Sequence, residues 1–133
     1  MRLLCYDPGG TTGVAYFVDH CLIWVAAQMG TLSIPEQIAQ ADVVLYETAT
    51  WRGPAFNPVG FEVIGVIKHF CTLQGIKPIS RPPTVLRGPR TWPRVAEYAR
   101  RMKSQHARDA FGHGVAYLGL ENVVLPDDFC VLT

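Results

Sequence analysis

Three acidic residues and one histidine in this 133-residue chain have the types and settings needed for chemistry on phosphate. Asp7 and Glu47 each follow a short apolar run, and His106 precedes Asp109 by three residues, a spacing that puts both side chains on one face of a helix. Two carboxylates brought close together repel each other unless a cation or a shared proton lies between them. Oxygen-rich sites with a single imidazole favour magnesium or manganese over zinc. The four residues therefore predict a divalent-metal site.

Each of these residues also has a simpler explanation. Asp7 precedes Pro-Gly-Gly and could be a turn residue, Glu47 could be a surface acid, and Asp109 could cap a helix. A lone histidine such as His106 is more often a satisfied polar group than a ligand. The combination favours the metal site, because two apolar strands both end in acids and a third acid opens a helix beside a basic segment.

Basic residues are concentrated in one stretch, although the formal net charge is only +1. Between residues 81 and 108 the only acid is Glu97, so this segment attracts phosphate, unless it is merely a solvated helix face. Eight of the twelve Lys and Arg residues lie there: Arg81, Arg87, Arg90, Arg94, Arg100, Arg101, Lys103 and Arg108.

The elements that position these residues follow from apolar periodicity and turn signals. The order is βββαβαβαα, which predicts an α/β fold whose central mixed five-stranded sheet has its first three strands antiparallel and is flanked by helices. If the first and fourth strands are neighbours, Asp7 and Glu47 lie side by side. The predicted strands are residues 2–6, 14–18, 22–29, 43–46 and 76–80, and the helices are residues 34–40, 61–75, 93–103 and 105–120.

Several local details accompany this assignment. Residues 7–13 predict a turn that no strand continues through, and Ser33 with Glu36 resembles a capping box before the first helix. The four prolines between residues 81 and 93 predict an extended or looped segment. Gly112 and Gly114 weaken the amphipathic pattern of the last helix.

Composition limits the class of protein. We expect residues 1–133 to form one domain, because its length suits a single core and 49% of its residues are hydrophobic. No apolar run is long enough to cross a membrane, and the four dispersed cysteines form no C-x-x-C pair. The cysteines predict reduced thiols in a cytoplasmic protein.

The segment Asp7-Pro-Gly-Gly-Thr-Thr-Gly13 resembles the first motif of RuvC-like Holliday junction resolvases, which belong to the RNase H-like superfamily. The strand ending at Glu47 resembles their second motif, and His106-Ala-Arg-Asp109-Ala resembles the last, on the final helix. All three occur in the family's order, so the resemblance covers nearly the whole chain and implies an RNase H-like fold.

The resemblance implies an endodeoxyribonuclease that resolves four-way and other branched DNA junctions in recombination and repair. Asp7, Glu47 and Asp109 would hold two Mg²⁺ ions, for which Mn²⁺ could substitute, and His106 would be a further ligand or a proton carrier. One ion would activate water and the other would stabilise the leaving 3′ oxygen, giving 5′-phosphate and 3′-hydroxyl ends.

Contacts with DNA are also implied. The family acts as homodimers, and the helix of residues 61–73 is the predicted dimer helix, although a core helix would have the same pattern. An aromatic residue in the loop after the second motif stacks on bases at the junction centre in similar enzymes, which suggests Trp51 or Phe56, unless either ring packs in the core. The full set of predicted DNA contacts is Trp51, Arg52, Phe56, Arg81, Arg87, Arg90, Arg100, Arg101 and Lys103.

The chain departs from the family pattern in two ways, and three rival functions stay open. It is shorter than typical cellular resolvases, and its pI of about 7.7 is modest for a junction binder, so junction selectivity is in doubt. A compact bacteriophage enzyme that acts in the host cytoplasm is the nearer comparison. An actin-like or sugar-kinase ATPase shares the Asp-x-Gly-x-Thr turn but needs two lobes. The two remaining rivals are an RNA-processing nuclease of the same superfamily and a non-catalytic nucleic-acid-binding module.

Overall fold

A five-stranded mixed sheet organises the chain, in the strand order β3-β2-β1-β4-β5. The structure is a computed structural model that describes residues 1–49 and 58–124. The first three strands are antiparallel, and β4 and β5 run parallel to β1, as predicted. The strands are β1 (Arg2–Asp7), β2 (Thr11–Val18), β3 (Cys21–Met29), β4 (Val43–Glu47) and β5 (Ile79–Arg81).

Helices cover both faces of the sheet. Helices α1 and α2 pack on one face around Leu4, Val44 and Ile67, and helices α3 and α4 pack on the other around Leu3, Leu45 and Phe111. Successive side chains of a strand point to opposite faces of the sheet, so neighbouring residues of a strand that is buried on both faces belong to different cores. The helices are α1 (Ile34–Ala39), α2 (Pro58–Leu73), α3 (Pro93–Arg100) and α4 (Gln105–Leu118).

Three local predictions were wrong. Strand β2 begins at Thr11, because residues 11–13 pair with the end of β3 and the turn is confined to residues 8–10. Ser33 makes no side-chain cap hydrogen bond, since its backbone is already helical (φ −84°, ψ −15°) rather than extended as in a capping box. Strand β5 starts only at Ile79, after a proline that has no N–H to donate.

The proline-rich segment between β5 and α3 is also more regular than predicted. It forms two short 3₁₀ helices, Pro83–Arg87 and Pro89–Thr91, and Pro93 then occupies the first turn of α3, where a missing N–H costs nothing. Leu86 from the first 3₁₀ helix is buried against α4. This segment therefore packs beside the helix that carries the last motif. No helix within residues 1–49 and 58–124 is long and apolar enough to cross a membrane.

Candidate metal and nucleic-acid site

Asp7 and Glu47 end two adjacent parallel strands. In the β1–β4 ladder Tyr6 pairs with Tyr46, so the two acids that follow lie next to each other at the carboxyl edge of the sheet. Both acids line a cleft of about 430 Å³, whose other walls include His106 and Phe61. The predicted juxtaposition of the two strand-end carboxylates is confirmed. Ligands bind in such crevices outside the carboxyl ends of parallel strands.

The electrostatics of Asp7 show that the cleft favours a cation. Asp7 is only 6% exposed. Its pKa is raised to about 6, and burial is the largest cause of this rise. The negative charges of Glu47 and, more weakly, Asp109 raise the pKa further, whereas the hydrogen bond and charge of His106 oppose the rise. A divalent cation between Asp7 and Glu47 would replace this repulsion with attraction.

Helix α4 brings His106 to Asp7. The His106 Nδ1 atom lies 2.8 Å from Asp7 Oδ2, and the imidazole is 44% exposed toward the cleft. Ser104 caps the helix by accepting a hydrogen bond from the Ala107 N–H, which fixes the position of the first turn. Gly13, opposite Asp7 in β2, permits this approach, because a Cβ atom there would overlap the backbone carbonyl of His106.

Asp109 lies near Asp7 but is held by other partners. Its Oδ1 atom accepts hydrogen bonds from Arg90 Nη2 at 2.9 Å and from Gln105 Nε2 at 2.8 Å. It lines a neighbouring pocket of about 540 Å³ together with Arg90 and Arg100 rather than the cleft of Asp7 and Glu47. The structure thus brings Asp7, Glu47 and His106 into one cleft and sets Asp109 at its border, paired with a cation.

Sequence reasoning missed His113, which is almost completely buried on α4. Its Nε2 atom lies 2.7 Å from Glu47 Oε2, and its Nδ1 atom is buried with no hydrogen-bond partner among residues 1–49 and 58–124. The spacing could have revealed it, because residue 113 lies two helical turns after His106 on the same face. Each strand-end acid therefore contacts one histidine of α4.

The donor set fits a hard divalent cation. Carboxylate oxygens from Asp7 and Glu47, with one imidazole, are the ligands that magnesium and manganese accept. Within the described ranges, however, no three His, Cys, Asp or Glu side chains are already arranged to hold a metal ion. For Asp109 to join the set, its carboxylate must exchange Arg90 for the cation.

The predicted basic DNA contacts fall into separate groups. Arg81 pairs with Glu47 in the β4–β5 ladder, and its guanidinium carbon lies 6.0 Å from the centre of the Tyr117 ring. Arg90 and Arg100 border the pocket that contains Asp109. A second pocket of about 330 Å³, beside β3, is lined by Arg101 and Lys103, and Arg87 is exposed on the first 3₁₀ helix.

Arg108 has a structural role. Its guanidinium donates to the backbone carbonyls of Ala99, in the last turn of α3, and of Met102, just after that helix. This cation therefore holds α3 against α4 and is not available to phosphate. The predicted contacts Trp51, Arg52 and Phe56 lie outside the described residues.

The comparisons with known proteins agree with this fold. No protein-family model matches the sequence, and no curated protein matches it either. The chain is similar to the solved structure of Thermus thermophilus RuvC, with a TM-score of 0.64 and 13% identity over 90% of this chain and 97% of that one. The same protein in complex with a Holliday junction substrate gives a TM-score of 0.64 at 13% identity over 90% and 96%.

A viral enzyme has the same architecture. The Fowlpox virus resolvase, in complex with substrate Holliday junction DNA, has a TM-score of 0.62 and 18% identity over 88% of this chain and 98% of that one. The chain therefore has a RuvC-like resolvase fold, as the ordered motifs predicted.

Proposed function

We propose that the protein is a metal-dependent endonuclease that cuts branched DNA, with four-way junctions among its substrates. The observation that carries this proposal is the pair of strand-end carboxylates, Asp7 and Glu47, side by side in a cleft and paired with histidines. The similar folds solved with Holliday junction DNA support the substrate class.

The acids have distinct roles in this proposal. Asp7 and Glu47 bridge the cleft and hold two Mg²⁺ ions, or Mn²⁺ in their place, with Asp109 as a third carboxylate. When bound, such ions lower the pKa of a water nucleophile and neutralise charge that develops on the phosphate oxygens. Hydrolysis leaves 5′-phosphate and 3′-hydroxyl ends.

His106 is suited to ligation or to proton transfer. Its Nδ1 atom is engaged by Asp7, which leaves Nε2 on the exposed side of the ring for a metal or a reacting oxygen. The carboxylate of Asp7 orients the imidazole in either case, in the way that acids orient metal-bound or catalytic histidines.

Phosphate binding is assigned to cations on the elements next to the cleft. Arg81 is the β5 residue that pairs with Glu47 in the β4–β5 ladder, and Arg90 forms an ion pair with Asp109 in the neighbouring pocket. We propose that a DNA phosphate competes for Arg90 and so releases Asp109 for a metal ion. Arg87, Arg100, Arg101 and Lys103 extend the proposed contact surface, and Trp51, Arg52 and Phe56, which lie outside the described residues, stay predicted contacts at the junction centre.

A homodimer would present two such sites to opposite strands of a junction. Helix α2 is the proposed interface helix, although its buried residues Val63, Ile64 and Ile67 belong to the core. Leu73 at its end is 65% exposed and is available for such a contact. Sedimentation velocity on the free protein tests this part, and a monomer at the concentrations that support cleavage would contradict it.

Cleavage assays test the function itself. Labelled four-way junction, linear duplex of the same sequence and structured RNA are incubated with the protein in Mg²⁺ and in EDTA. We expect Mg²⁺-dependent cutting of the junction, which Asp7→Asn abolishes while junction binding persists. Asp42→Asn is the matched control, because this exposed acid lies just before β4, at the opposite end of that strand, and pairs with Arg2.

Other outcomes identify the rivals. Preferential cutting of structured RNA would indicate an RNA-processing nuclease, and junction binding without cutting by the wild type would indicate a binding module. Cutting by Asp7→Asn equal to that of the wild type would refute the proposed site.

A further inference from the structure

We propose that His113 is a positioning residue that fixes the rotamer of Glu47 for metal binding, an inference that rests on the proposed function. The His113 Nε2 atom lies 2.7 Å from Glu47 Oε2, within the range of a strong hydrogen bond. His113 itself is buried and lies beneath the cleft rather than lining it. It therefore acts through Glu47 and has no direct access to substrate.

The unpartnered Nδ1 atom assigns the direction of the hydrogen bond. A proton on Nδ1 would be a buried donor with no acceptor in the part of the chain that the structure describes, whereas a bare Nδ1 leaves only a lone pair unsatisfied. The less costly tautomer carries its proton on Nε2 and donates it to Glu47. Glu47 then accepts this hydrogen bond through Oε2.

This donor leaves one oxygen of Glu47 for the cleft. His113 contacts Oε2, and the carboxylate as a whole is 15% exposed and lines the cleft with Asp7. A glutamate has three rotatable side-chain bonds, so a fixed partner reduces the entropy that its ordering would otherwise cost. Partners of this kind orient metal ligands and typically change metal affinity about 10–100-fold when removed.

Close packing of α4 on the sheet makes this contact possible. Gly112 and Gly114 flank His113. A Cβ atom at Gly114 would overlap the Phe17 ring of β2, and one at Gly112 would press on the Leu86 side chain of the first 3₁₀ helix. Gly114 therefore permits the close approach of α4 to the sheet, and Gly112 permits the packing of the 3₁₀ helix on α4.

Three substitutions separate hydrogen bonding from volume. His113→Gln keeps an N–H donor near the position of Nε2, His113→Asn keeps a donor too short to reach it, and His113→Phe keeps the volume without a donor. His20→Gln is the control, since this exposed histidine lies in the β2–β3 turn at the opposite end of the sheet.

The primary readout is Mn²⁺ binding to the DNA-free protein, measured by electron paramagnetic resonance or calorimetry. We expect His113→Asn and His113→Phe to weaken binding about 10–100-fold and His113→Gln to stay within about threefold of the wild type. Circular dichroism and denaturant unfolding establish that each variant is folded. If the Phe variant does not fold, the comparison of Gln with Asn decides.

Each result has a defined meaning. Equal Mn²⁺ affinity in all variants, or equal loss in folded Gln and Asn variants, would overturn the positioning role. A wild type that binds Mn²⁺ but cuts no branched DNA refutes the proposed function while the affinity series still tests His113. A wild type that binds no Mn²⁺ refutes both.

Discussion

Replacing Asp7 with asparagine should stabilise the metal-free protein at neutral pH, although it removes the proposed function. Burial and the neighbouring acids raise the pKa of Asp7 to about 6, from 3.8 in the unfolded chain. The folded state therefore binds the proton more tightly, so stability falls as pH rises from about 4 to about 6, and the full cost is present above pH 6. Asparagine carries no charge and avoids this cost.

The magnitude follows from the pKa difference. The rise from 3.8 to about 6 corresponds to about 3 kcal/mol at neutral pH. This difference already includes the hydrogen bond and charge of His106, which lower the pKa. We expect Asp7→Asn to raise the free energy of unfolding by about 3 kcal/mol near pH 8, or the melting temperature by roughly 9–15 °C.

Denaturant unfolding in EDTA near pH 8 and near pH 4 measures this effect. The gain should shrink to less than about 1 kcal/mol near pH 4, where the folded-state proton is already bound. Asp42→Asn is a control of opposite sign, because Arg2 holds the pKa of that exposed carboxyl at about 2 and the charged form is the stabilised one. An Asp7→Asn variant that is no more stable than the wild type near pH 8 would refute the reasoning about the cleft.

The contacts around the cleft give three further predictions. Gly13→Ala should displace the first turn of α4, cost about 1–3 kcal/mol through overpacking and abolish junction cleavage, as urea unfolding and cleavage assays would show. Gly65→Ala is the control for stability alone, because its Cβ would enter open space and should add up to about 1 kcal/mol of helix stability. Arg90→Gln should strengthen Mn²⁺ binding several-fold by freeing Asp109 while it weakens junction binding, as calorimetry and filter binding would show. Arg100→Gln should reduce the slope of log affinity against log salt by about one, measured by fluorescence anisotropy on a labelled junction.

Each of these predictions has a result that contradicts it. Gly13→Ala with native cleavage would show that α4 need not approach β2 so closely. Unchanged Mn²⁺ affinity in Arg90→Gln would mean that Asp109 is not a ligand. Arg2→Gln is the control for Arg100→Gln, because Arg2 lies at the end of the sheet opposite the cleft. It should leave the slope of log affinity against log salt unchanged. An equal effect of the two substitutions would indicate a nonspecific charge effect.

Local sequence patterns predicted the layout of the sheet. Apolar runs closed by acids and glycines indicate where strands begin and end, and the helical crossover between β3 and β4 makes β4 parallel to β1. The adjacency of Asp7 and Glu47 also requires that β1 and β4 be neighbours, which the sequence left as a condition and the structure shows. Strand limits were less accurate, because the pairing of residues 11–13 with β3 depends on the length of a different strand.

Contacts between segments that are distant in sequence could not be predicted from local sequence patterns. The pairing of Arg90 with Asp109 depends on how a 3₁₀ helix packs on α4, and periodicity carries no information about that packing. His113 was missed because its position on the apolar face of α4 resembles a core residue. Its spacing from His106 places it on the same face of α4, but the identity of its partner, Glu47, emerges only from the tertiary approach of α4 to β4.

Anomalous diffraction from crystals grown with Mn²⁺ tests the proposed metal site most directly. We expect anomalous density in the cleft, in contact with the carboxylates of Asp7 and Glu47, and rotation of Asp109 away from Arg90 toward that density. An ion bound elsewhere, or no ion in the cleft at saturating Mn²⁺, would contradict the proposal that these strand-end acids form a metal centre.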